Sequence, residues 1–213
     1  MIGNAPVRPI RWRRRKEARP SEILAAALDN FIERGYAATK LDDVAKRAGI
    51  TKGTLYLYFP NKEELFKAVV REALGARIAG IAGPLTAMPA PRLIETIVTN
   101  IRNLAASPAG AIPKLLLGEA GNFPEIARFY HDEVVRRGLK AVRAALRRGV
   151  KTGEFRDIDI DHVCYCVVAP LLLGLLWKQT IERYADRELD LAALARAHVD
   201  VLLNGLLRKI VSS

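Results

Sequence analysis

"TKGTLYLYFPNKEEL", Thr51 to Leu65, is the stretch on which the reading of this chain turns. It sets Tyr56, Tyr58 and Phe59 beside Lys52 and Lys62, with Gly53 near its start and Pro60 behind the rings. A core takes the aromatics and rejects the lysines, and a solvated face does the opposite. A nucleic acid or an anionic membrane surface takes both. Thr51 is a good N-cap. Pro60 ends the short helix that follows. Asn61 caps the next helix, and Glu64 three residues later completes a capping box. A helix of two turns does not stand alone and must pack on its neighbours. Leu55 and Phe59, four apart, point into that small core, which leaves Thr51, Lys52, Thr54, Tyr56 and Tyr58 nearer the other faces. Gly53 costs up to about 1 kcal/mol of helix propensity relative to Ala, and it lets another backbone approach closely.

Working outward toward the N-terminus, a first helix opens at Ser21 after Pro20, with Leu24, Ala27, Leu28 and Phe31 at helical spacing and Gly35 at its end. A second opens at Thr39, where "TKLD" fits a capping box. Leu41, Val44, Ala45 and Ala48 form its apolar face, and Gly49 stops it. Two short helices joined by a Gly-containing turn form a helix-turn-helix pattern. Residues 1–20, Pro- and Arg-rich without a period, read as a disordered basic arm carrying Arg11, Arg13, Arg14, Arg15 and Lys16. Toward the C-terminus the fourth helix presents Leu65, Ala68 and Val69, and a Gly-, Ala- and Pro-rich stretch runs from Gly75 to Pro91. Further helices are expected near 91–106, 111–121, 124–151, 159–184 and 190–210. Alternating strand patterns are almost absent. The expectation is an all-α chain of about nine helices, with a helix-turn-helix domain over 21–67 and a larger helical domain over 68–213.

The totals agree with a polyanionic partner. Among 213 residues, 34 Lys and Arg stand against 23 Asp and Glu, a formal charge of +11 and a pI near 9.9. Residues 1–62 hold 13 basic and 6 acidic side chains, so the basic excess belongs mainly to the N-terminal piece. Cys164 and Cys166 are two apart and point to nearly opposite sides of a helix. They read as two buried thiols of a reducing compartment. His131, His162 and His198 are scattered, with no Cys or acid cluster at ligand spacing, so no metal is expected. No phosphate-cradling glycine loop, nucleophile elbow or other catalytic constellation appears, and neither an enzyme nor a cofactor is expected. The opening twenty residues lack the apolar region of a secretory signal, which favours the cytoplasm. "VCYCVVAPLLLGLLW" (Val163–Trp177) is uncharged for fifteen residues. That is short for a spanning helix and suits one buried between helices or between subunits.

Residues 31–70, "FIERGYAATKLDDVAKRAGITKGTLYLYFPNKEELFKAVV", closely resemble the DNA-binding domain of TetR/AcrR-family transcriptional regulators. The elements follow in order: "GY" then "T", "DVAKRAGI", the short "TKGTLYLYF" helix, and "NKEEL" opening the next. The resemblance implies that the third helix enters the major groove with its N-terminal half against base edges. Lys52 is then the first candidate for base readout, because Lys donates to guanine O6 and N7. Gly53 allows close approach, and Thr51 and Thr54 stand at the same helix start. Tyr56 and Tyr58 resemble positions that donate hydroxyls to phosphates. Thr39, Lys40 and Lys62 sit at helix N-termini, which favour phosphate. Leu57 stands where many members carry an aromatic or polar residue, and it can meet a thymine methyl. The arm Arg11–Lys16 either follows DNA or is a solubilising tail.

The resemblance also implies that the rest of the chain binds a ligand and dimerises through its last two helices, residues 159–184 and 190–210. A two-fold dimer presents two recognition helices to a pseudo-palindromic operator on double-stranded DNA. Candidate linings for a small-molecule effector are Met88, Phe123, Phe129, Tyr130 and Trp177, with Glu119, His131 or Gln179 as polar anchors; for each of them core packing is the competing role. The lack of clustered charge points to an apolar or aromatic ligand. The leading expectation is a cytoplasmic, homodimeric repressor released by its ligand, with the fourth helix carrying the signal. Two others stand beside it: a DNA-binding architectural protein that needs no ligand, and a membrane-associated protein using the Arg arm and the apolar helix.

Overall fold

Gly35 sets the geometry of the N-terminal region. The computed structural model describes the backbone of residues 12–82 and 88–207, and the side-chain surroundings of residues 20–76 and 88–207. Helix α1 (Trp12–Ala38) is interrupted at Gly35, where φ is 81° and ψ is 168°. That backbone conformation favours glycine and turns the chain into α2 (Leu41–Arg47). Gly49, at φ 66°, makes the next turn into α3 (Lys52–Tyr58), and α4 (Lys62–Ala82) follows. Thr51 caps α3 as expected, its Oγ1 accepting from Thr54 N at 3.2 Å. Asn61 Oδ1 likewise accepts from Glu64 N at 2.8 Å.

Two expectations in this region need correction. Helix α1 begins at Trp12 with Pro20 inside it, not at Ser21, so residues 12–20 are helical rather than a disordered arm. "WRRRKEAR" consists of good helix formers, and extending an existing helix avoids the cost of nucleation. Arg11 lies outside the described residues, as do the side chains of Arg13, Arg14, Arg15 and Lys16. Thr39 does not cap α2. The N-cap is Lys40, which makes no side-chain cap bond. The Thr39 hydroxyl is instead buried, donating to Gly35 O at 2.7 Å with Asn30 O at 3.1 Å. The break at Gly35 leaves carbonyls at the end of α1 in need of donors, and Thr39 is the nearest one.

Packing divides the molecule differently from the sequence. Ile23, Ala27 and Phe31 of α1, Val44 of α2, Leu55 of α3 and Leu65, Phe66 and Val69 of α4 form one core. Ile112, Leu116 and Ile126 belong to that same core. They come from α6 (Ile112–Glu119) and α7 (Pro124–Tyr130), beyond the boundary drawn at 67 and 68. Helix α4 also runs unbroken across that boundary. The second core joins α5 (Ala90–Ala105), α8 (Arg136–Lys151), α9 (Ile160–Thr180) and α10 (Leu191–Leu206) through residues such as Leu93, Ile97, Leu146, Phe155, Val167 and Leu171. A π turn at His131–Val135 joins α7 to α8, so residues 124–151 form one rod as expected. Counted this way, the described residues form nine helical rods and no strand, with one isolated bridge between Phe155 and Leu207.

Helix α9 is not apolar on every face to the same end. Cys164, Val167, Leu171 and Leu175 are buried, while Tyr165, Leu173, Trp177 and the following Ile181 are exposed. By length and composition α9 is the one helix among the described residues apolar enough to cross a membrane, although its inward face packs in the second core. Cys164 is buried as expected, but Cys166 is exposed on the outward side.

Candidate nucleic-acid interface

Helix α3 is held by one side chain and presents the rest. Leu55 is fully buried, and half-buried Phe59, the C-cap, packs against the same core. On the open side Leu57 is 85% exposed, with Tyr56 at 43% and Tyr58 at 37%. An added Cβ at Gly53 would have Thr51 Oγ1 at 4.0 Å as its nearest contact, so the start of α3 is unobstructed. Thr51 and Thr54 share a hydroxyl–hydroxyl bond of 2.9 Å at that same end. Lys52 Nζ lies 2.8 Å from Asp42 Oδ1, and both side chains are more than half exposed. The Asp42 hydrogen bond pushes the Lys52 pKa up, so the ammonium is charged. An exposed pair of this kind contributes little net stability, because solvent screens it, and yields readily to a guanine edge or a phosphate. Lys40 is exposed at the start of α2. Ion pairs Arg34–Asp43 at 2.9 Å and Arg47–Glu33 at 2.7 Å fasten α2 to α1.

Lys62 is placed differently from the other lysines. Its ammonium donates to Tyr36 O at 2.8 Å and Ala37 O at 2.9 Å, and it sits 4.6 Å from the Tyr36 ring centroid. Burial lowers its pKa, opposed by the charge of Glu119. Two of its three donors are thus spent inside the molecule. Thr39, with a buried hydroxyl engaged by carbonyls, presents nothing from that group to a phosphate. Thr51, Lys52, Gly53, Thr54, Tyr56 and Tyr58 are gathered on one short helix. Thr39 and Lys62 serve the turn behind it.

The eight residues considered for an effector site have varied surroundings among the described residues. Phe123 packs edge-on against Tyr36, centroids 4.7 Å apart. Phe129 lies beneath Lys67 and Arg71 at 5.9 and 4.9 Å. Tyr130 packs on the first core, and burial pushes its pKa up to about 12. Glu119 accepts from Ala37 N at 3.1 Å. His131 is exposed and pairs with Asp132. Met88 packs on the second core, where it accepts from Thr96. The backbone carbonyl of Gln179 accepts from Lys114 Nζ at 2.8 Å. Trp177 lines a cleft of about 490 Å³, with Pro170, Leu173, Gly174 and Leu194 and the 185–189 segment. Among the described residues no group of His, Cys, Asp or Glu could hold a metal ion. The sequence offered Asp42 as part of a capping box and not as the partner of Lys52, because a contact ten residues away across a turn leaves no periodic signal.

Comparison with known proteins agrees with this geometry. The family model for bacterial regulatory proteins of the tetR family matches residues 23–69, and that for tetracyclin repressor-like C-terminal domains matches residues 92–192. The fatty acid metabolism regulator protein of Bacillus subtilis is 26% identical over 201 residues, covering 91% of this chain and all of the relative. The transcriptional regulator RutR of Escherichia coli K12 is 31% identical over 186 residues, 79% of this chain and 74% of that protein. The crystal structure of FadR from Bacillus subtilis in complex with stearoyl-CoA superposes with a TM-score of 0.69 at 22% identity, covering 87% of this chain and 98% of that one. With a helix-turn-helix unit that presents α3, and with both of its regions matched, the chain belongs to the TetR family of DNA-binding transcriptional regulators.

Proposed function

We propose that this protein is a cytoplasmic homodimer that represses transcription from a pseudo-palindromic operator and is released by a small, predominantly apolar ligand. The observation that carries the DNA-binding part is α3, pinned by buried Leu55 and exposed along Lys52, Tyr56, Leu57 and Tyr58. Lys52 reads a base after leaving Asp42. The Tyr56 and Tyr58 hydroxyls, with Thr51, Thr54 and Lys40, reach phosphates and set the register. The remaining donor of Lys62 is available to a phosphate as well. The basic residues Arg11, Arg13, Arg14, Arg15 and Lys16 add sequence-independent attraction.

Dimerisation is supported by the outward stripe of α9, where Tyr165, Ala169, Leu173, Trp177 and Ile181 follow at four-residue spacing, and by exposed Val201 on α10. An apolar stripe of that length on a soluble protein marks an interface. For the ligand, the stearoyl-CoA bound to FadR of Bacillus subtilis makes fatty acyl thioesters the first class to test. The second reading is a DNA-binding regulator that needs no ligand. The experiment is selection of bound fragments from a random duplex pool, followed by addition of stearoyl-CoA to the complex. Release supports the first reading. Retention under stearoyl-CoA and a broad panel of apolar compounds supports the second.

A further inference from the structure

The helix-turn-helix unit is gripped from behind. Helix α6 ends at Glu119, and a carboxylate in the last turn of a helix opposes the macrodipole there. Something must offset that position, and the partner is on another element. Glu119 Oε1 accepts from Ala37 N at 3.1 Å, and it lies so close to Gly35 that a Cβ on that residue would stand 2.9 Å away. From the other side Lys62, the first residue of α4, donates to Tyr36 O and Ala37 O. Between them the Tyr36 ring is buried against Phe31, Phe66 and Phe123. The turn between α1 and α2 is thus clamped by α4 and by α6. Near the other end of α6, Lys114 Nζ donates to Gln179 O at the end of α9, at 2.8 Å. Helix α6 therefore spans from the helix carrying the outward apolar stripe to the turn that seats α2 and α3.

We propose that Glu119 is a positioning residue for DNA binding. Its carboxylate fixes the Gly35–Ala37 turn, and through it the attitude of α3, relative to the body that carries α9. This rests on the reading above that two copies of α3 read an operator together. In such a dimer the separation of the recognition helices must match the half-site spacing, so loosening the turn degrades sequence-specific binding more than non-specific binding.

The test uses the full-length chain and three variants. Glu119→Gln keeps a carbonyl acceptor for Ala37 N. Glu119→Asp keeps the charge but withdraws it by one methylene. Glu119→Ala removes both. Each is titrated by fluorescence anisotropy against a duplex selected by the wild-type protein and against a scrambled duplex of equal length, with thermal melting followed by circular dichroism. Glu119→Ala and Glu119→Asp are expected to lose about tenfold in the ratio of selected to scrambled affinity, the order expected for a hydrogen bond to a charged acceptor. Affinity for the scrambled duplex stays unchanged, and Glu119→Gln stays within about twofold of wild type by the same reasoning. A purely structural role moves the melting temperature and leaves the ratio alone. If Glu119→Ala does not fold, Glu119→Asp decides. A folded Ala or Asp variant with the wild-type ratio overturns the proposal. A wild-type chain that selects no duplex overturns the underlying reading instead, and the two failures are distinct.

Discussion

Lys52 and Lys62 illustrate how similar residues acquire different work from their surroundings. Both stand at the start of a helix, where the expectation is base readout for Lys52 and phosphate contact for Lys62. In the fold Lys52 is exposed and paired with Asp42, whereas Lys62 is half-buried and holds two carbonyls. Lys52→Ala is expected to relax the preference at one base pair by about 1–3 kcal/mol, read by competition with single-substituted duplexes. Lys62→Ala leaves two carbonyls of the turn without their donor. It is expected to lower stability by about 1–3 kcal/mol in urea unfolding and to shallow the salt slope of binding by no more than about one. Tyr36 behind the same turn has its pKa raised to about 12, first by burial and then by Glu125 and Glu63, and Tyr130 is raised to about 12 by burial. The folded state therefore holds these protons above pH 10, where the unfolded chain has lost them. Stability falls as pH rises from the unfolded value of 10 toward 12, measurable as a drop in melting temperature alongside delayed tyrosinate absorbance.

At the scale of elements, much was legible. Gly35, Gly49, Thr51 and Asn61 are local signals whose physics acts within a few residues, and the structure has the turns and caps where they stand. The rods over 90–105, 124–151, 160–180 and 191–206 follow from helical periodicity in the same way. Thr39 was misread because its competitor was not local: carbonyls freed at the Gly35 break reached its hydroxyl first. The early start of α1 was missed because Pro20 was taken as a boundary, although proline is tolerated when the residues around it favour helix strongly. The packing partners of the pocket candidates were not legible at all, since the surroundings of a side chain are a tertiary fact. Close packing of elements likewise leaves only a glycine as its trace. A Cβ at Gly149 of α8 would meet the Phe155 ring at 2.1 Å. Alanine brings up to about 1 kcal/mol of helix propensity, but overpacking a buried ring costs about 1–3 kcal/mol. The second effect wins, so Gly149→Ala is expected to lower the urea midpoint without changing the slope.

Across the whole molecule, two cores divide the labour. One joins the helix-turn-helix unit to α6 and α7, and the other carries α9 and its exposed face. Leu173, 65% exposed in the middle of that face, is the point to challenge. In a two-fold interface Leu173→Glu places two carboxylates where each must be desolvated. The variant is expected to sediment as a monomer at concentrations where the proposed wild-type dimer persists. Its affinity for a two-half-site duplex falls by about a hundredfold or more, because the second contact is no longer tethered to the first. The most direct test of the account as a whole is selection of duplexes from a random pool by the wild-type chain and by Lys52→Ala in parallel. The wild type is predicted to enrich one pseudo-palindrome whose half-sites lie about one helical turn apart or a multiple of it, with Lys52→Ala losing the preference at matching positions in both halves. Recovery of no common sequence, or an identical motif from both proteins, would contradict it.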